Sequence, residues 1–172
     1  TLEYFVQAEG QTTGVVTSPS NAPDAAYQPA IGEQIVLFED NFESDQDWTV
    51  TNSTGLSDGE WQRGIPAGDG DRGDPVFDAD GSGQCYLTGN ADGNTDVDGG
   101  STTLTSPVLD ASNSGPDVAV SYYHWFSNNL GDAPFSDVML IEISDDNGAT
   151  WTELEQIGPD GPEVGGGQWF FK

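Results

Sequence analysis

The sequence predicts an all-β chain, organised as an antiparallel jelly-roll β-sandwich. Apolar and polar residues alternate with period two in short runs, and no helical stripe recurs at 3.6 residues. Gly, Pro, Asn and Asp break these runs at close intervals, the spacing of a sandwich or barrel. The acids also point away from helix, because 20 of the 30 are Asp, which favours turns and loops over helix interiors.

In chain order, "LEYFVQAEG" and "TGVVTSP" read as two strands of a hairpin. "NAPDAAYQPAIG" has the Pro and Ala content of a connector. A new block opens with "EQIVLFEDNFE", whose acids are expected on a first strand. "DWTVTNS" and "EWQRGIP" continue it. From Leu56 to Gly83 the chain is mainly loop. "QCYLTGN", "TTLTSPVLD", "DVAVSYYHWFSN", "SDVMLIEISD" and "ATWTELEQIG" are five further strand candidates. Met139, Ile141 and Ile143 alternate with Val138, Leu140 and Glu142, and two apolar faces predict a covered central strand. The terminal "GGGQWFFK" reads as a strand just beginning. Residues 1–34 hold a hairpin without its own sheet, which is marginal alone in water. The expectation is therefore a piece of a longer polypeptide, with residues 1–34 ending an upstream module and residues 35–172 forming a second module short of its last strands.

Thirty acids face three basic residues across 172 positions, a formal net charge of −27. That field repels nucleic acid and anionic membrane, and favours cations or basic partners. No apolar run is long enough to insert in a bilayer. A single cysteine, Cys85, excludes an internal disulfide. One histidine and one cysteine are too few for zinc, and His124, inside "SYYHWF", reads as a packed core residue rather than a base. Nothing in the chain predicts catalysis.

The stretch "DADGSGQCYLTGNADGNTDVDGG" raises calcium. An EF-hand loop needs Gly at position 6 and a bidentate Glu at position 12. Counted from Asp78, position 12 is Gly89; counted from Asn94, it is Thr105. The EF-hand is excluded. A cage built from separate loops stays open, and so does a solvated acidic face. "SDDNGATW" carries an Asp-box pattern at Ser144, Asp146, Gly148, Thr150 and Trp151. It occurs once rather than at blade spacing, so it predicts a hairpin staple and not a propeller.

Taken in order, "LFEDNFESDQDWTV", "GEWQRGIP", "DADGSGQCYLTGN", "DVDGGSTTLTSPVLDAS", "VSYYHWFSN" and "VMLIEISDDNGATWTELE" resemble jelly-roll accessory modules of large secreted bacterial proteins. The pattern is similar to the C-terminal modules of immune-inhibitor-A-type metallopeptidases and, more distantly, to MAM adhesion domains. The segment before it looks like the end of an immunoglobulin- or fibronectin-like module. The resemblance implies a secreted or cell-surface location and a non-catalytic adhesion or spacer role. It also implies Ca²⁺ on Glu43 and on Asp78 or Asp80. From the residues themselves, "DAD" and "DVD" flank the short strand "QCYLTGN", so one or two Ca²⁺ ions are expected at a rim of residues 69–98 that holds Asp78, Asp80, Asp96 and Asp98, with Glu43 or Asp40 contributing. A carbohydrate-binding module is the alternative, with Trp48, Trp61, Tyr123 and Trp125 as its aromatic platform. A domain targeting a secreted metallopeptidase to its substrate is another. Expected partners are the rest of its own polypeptide, neighbouring copies, a glycan or an extracellular protein.

Overall fold

The computed structural model describes residues 6–10, 14–18, 35–115 and 118–172. The chain separates into two compact units, Thr1–Val36 and Leu37–Lys172. In the first, β1 (Val6–Gly10) and β2 (Gly14–Ser18) form an antiparallel hairpin. The expected connector "NAPDAAYQPAIG" lies outside the described residues.

The second unit holds eight strands among its described residues: β3 (Thr49–Asn52), β4 (Trp61–Gly64), β5 (Cys85–Thr88), β6 (Thr102–Thr105), β7 (Tyr123–His124), β8 (Met139–Ile143), β9 (Thr152–Ile157) and β10 (Phe170–Phe171). They pair antiparallel as β3–β6, β4–β5, β8–β9 and β7–β10. The fold is all-β, with no helix among the described residues and so none that could cross a membrane. β-Branched residues dominate β3 and β6, where a stiff χ1 suits the pleat. The Trp61 amide donates to Thr102 Oγ1 at 3.3 Å, which ties the β4–β5 pair to β6.

Two expectations need correction. Residues 35–44 form no strand. Asp40 accepts the Phe42 amide at 2.8 Å and Asn41 accepts that of Glu43 at 3.3 Å, so side chains replace ladder bonds. Phe42 itself takes φ 63°, which no strand allows. Asp40 and Glu43 therefore stand on an irregular segment. β8, in turn, is not a covered central strand. Among the described residues it pairs only with β9, and Leu140 on its second face is 49% exposed. Alternation reports apolar faces, but not whether another layer covers them.

Among the described residues, the buried apolar side chains are Cys85, Ile157 and Val164. Buried polar groups share this interior. Asn128 donates to the carbonyls of Asp137 and Pro159, both at 2.8 Å, and its own backbone takes the Phe135 amide and gives its N–H to Val164. A buried amide so matched pins three loops at little desolvation cost.

Candidate functional site

The acidic rim is assembled around the start of β5. Asp78 is 3% exposed. Its Oδ2 accepts the Ser82 hydroxyl at 3.1 Å and the Gly83 amide at 2.8 Å. The Ser82 hydroxyl also lies 3.3 Å from Glu43 Oε1, which accepts the Gln84 amide as well. Glu43 and Asp78, 35 positions apart in sequence, thus meet at one serine. Asp80 closes the turn by accepting the Ser82 amide at 2.8 Å. Hydrogen bonds from Ser82 hold the Asp80 carboxyl below the usual aspartate range, and Asp78 lies within reach of it.

The segment carrying Glu43 is fixed from several sides. Asp40 accepts the indole N–H of Trp48 at 2.8 Å. Arg63 donates to the Phe42 carbonyl at 2.8 Å and to Gln84 Oε1 at 3.1 Å. Gln84 returns a bond to the Glu43 carbonyl at 3.2 Å. Phe42 meets the rings of Trp48 and Tyr86 edge-on at 5.4 and 5.3 Å. Asp40 therefore orients this segment with both its oxygens, and Glu43 faces the rim.

Asp96 and Asp98 make other contacts. Asp96 lies 3.8 Å from Arg72, an exposed pair of little energetic weight. Asp98 acts through its backbone, bridged to Asp58 and accepting the Ser57 amide at 2.9 Å. Among the described residues, no group of three or more His, Cys, Asp or Glu side chains is arranged to hold a metal. The rim nonetheless has the right chemistry for Ca²⁺: carboxylates and a hydroxyl, all hard oxygen donors. Since Gly83 and Gln84 amides occupy one oxygen of Asp78 and of Glu43, a cation would use the others.

The four aromatic candidates do not form one platform. Trp48 packs in the Phe42–Tyr86 cluster. Trp61 is half-buried on β4. Tyr123, 53% exposed, packs on Phe171 at 5.0 Å. Trp125 lines an open cleft of about 520 Å³. Its indole N–H donates to the Gly73 carbonyl at 2.7 Å, and its ring meets Phe77 and Trp169 edge-on at 6.4 and 5.6 Å. Phe77 and Trp169 escaped sequence reasoning because each adjoins a run that read as loop or strand start. The one clue was an isolated aromatic, Phe77, amid Asp and Pro.

Two nucleophile candidates are inert. Burial first, then the charges of Asp78 and Asp80, push the Cys85 thiol up to about 12. His124 is buried and stacked on Phe170 at 5.5 Å. Its Nε2 lies 3.2 Å from Glu163 but lacks the alignment of a hydrogen bond. Desolvation lowers its pKa against the opposing pull of Glu163 and Glu155, so it packs as a neutral ring.

No family model, curated protein or solved structure matches this chain.

Proposed function

We propose that the chain is a non-catalytic, calcium-stabilised module of a large secreted or cell-surface protein, acting as an adhesion or spacer unit. In this reading residues 35–172 are a jelly-roll sandwich, and residues 1–34 end an upstream immunoglobulin- or fibronectin-like module. The supporting observation is the meeting of Glu43 and Asp78 at Ser82, beside Asp80. Ca²⁺ would draw on these carboxylates, with carbonyls and water completing its six to eight oxygens. It would tie the irregular 35–44 segment to β5 and offset repulsion in a chain of net charge −27.

Thermal unfolding with and without chelator tests the reading. EDTA should lower Tm by several degrees and excess Ca²⁺ should restore it, in line with stabilisation by a ligand of the native state. Glu43→Gln and Asp78→Asn should abolish that response, while Asp96→Asn and Asp98→Asn should keep it. An unmoved melting curve would leave the rim as a solvated acidic face.

A further inference from the structure

None of the residues of the calcium reading lines the Trp125 cleft, and the cleft's chemistry is one-sided. At about 520 Å³ it falls in the size range of ligand sites. Val76, Phe77 and Leu130 bring apolar surface to it, and Phe77 is 56% exposed. Asp69, Asp71 and Asp74 supply acceptors. Side-chain donors are scarce. Of the described residues lining the cleft, only Trp125 and Asn129 carry one, and the Trp125 N–H is already given to Gly73. The neighbouring Trp169 gives its N–H to the Phe77 carbonyl at 3.0 Å. Arg72, the nearest cation in sequence, points to Asp96 instead. Asp74 Oδ2 is buried without any hydrogen-bond partner. Such an oxygen carries an unmet desolvation cost.

A sugar needs donors and acceptors in comparable supply, and this cleft offers mostly acceptors. An apolar-walled, aromatic, acceptor-rich cleft in a chain of net charge −27 complements a cation on a long apolar stem. We propose that the cleft takes a basic side chain of a partner polypeptide, arginine above lysine, its stem along Val76 and Leu130, its head against the aromatic wall and among the three aspartates. Arginine is preferred because its planar, weakly hydrated head stacks on rings and offers five donors to several carboxylates. Desolvation raises the Asp74 carboxyl above its ordinary value, opposed by Arg72 and reinforced by Asp69 and Asp92.

The test is titration of the full chain with acetyl-Gly-Arg-Gly-amide, followed through the indole N–H resonances of Trp125 and Trp169. Saturable shifts are expected, with affinity about tenfold weaker for the citrulline peptide, which keeps the shape and loses the charge. Asp74→Asn and the exposed Phe77→Ala should each weaken binding about fivefold. Asp145→Asn, which removes the same charge from the β8–β9 turn, should not. Equal shifts with citrulline, shifts that grow without saturation, or indifference to both cleft variants would overturn the proposal. So would saturable binding of cellotetraose or chitotetraose at these indoles in place of the arginine peptide.

Discussion

Two aspartates in this molecule show opposite ways of carrying a charge. Asp146, in the β8–β9 turn, is exposed yet fully matched. It accepts the Ser144 hydroxyl at 2.8 Å, the Thr150 amide at 2.8 Å and the Thr150 hydroxyl at 2.7 Å. The Ser144 oxygen receives the Gly148 amide at 2.8 Å, and Asn147 and Gly148 take φ 59° and 82°, a tight turn inside the loop that joins β8 to β9. Asp74, lining the cleft, is more sheltered and has a bare oxygen. Donors from Thr150 and Ser144 pull the Asp146 carboxyl down to about 2, whereas burial pushes that of Asp74 up. Donor supply, rather than acidity of the sequence, separates a staple from a carboxylate left with a bare oxygen.

The largest expected effect concerns a third case, Asp78, which is both buried and matched. Asp78→Ala removes the acceptor for Ser82 and Gly83 and should cost about 2 kcal/mol in urea denaturation. With EDTA present throughout, that loss reads the hydrogen bonds alone. Asp78→Asn should recover much of it by keeping an acceptor. A loss seen only with Ca²⁺ would mean that Asp78 stabilises through a cation and not through its donors.

Acid titration is the next test. The folded pKa of Asp146 lies below its unfolded value near 3.8. Its stabilisation is therefore present above about pH 4 and disappears as pH falls toward 2. Asp146→Asn should flatten that part of the stability curve relative to the parent, whose other lowered carboxyls, Asp80, Asp110 and Glu155, also contribute. An unchanged slope would show that the turn bonds do not favour the charged form.

Asp74 gives the smallest effect and the opposite sign. Its raised folded pKa penalises folding above that value, and the penalty fades as pH falls to about 3.8. Asp74→Asn should stabilise the chain at pH 7 by less than about 1 kcal/mol, because the group is only half-buried and solvent screens it. It should also remove the gain on mild acidification. Destabilisation at pH 7 would mean that the carboxylate already has a partner, erasing the contrast with Asp146.

What lies close along the chain was legible in the sequence. Most of the period-two runs hold strands, although "DVAVSYYHWFSN" keeps only Tyr123–His124, and the Ser144–Trp151 pattern became a hairpin staple, because its bonds span two to four residues and its turn needs only Asn-Gly. Even the failure at residues 35–44 was local, since Asp40 and Asn41 compete for the backbone amides that a strand requires. Only the tertiary structure decided which acids meet. Glu43 reaches Ser82 across 39 residues, Trp125 reaches Gly73 across 52 and Trp169 reaches Phe77 across 92. It also decided that Asp96 pairs with Arg72 while Asp98 bonds through its backbone, and that Leu140 faces solvent. Composition supplies carboxylates and rings in abundance. Which of them become neighbours, and which keep a bare oxygen, depends on how distant loops close against each other, and a one-dimensional pattern carries no such distances.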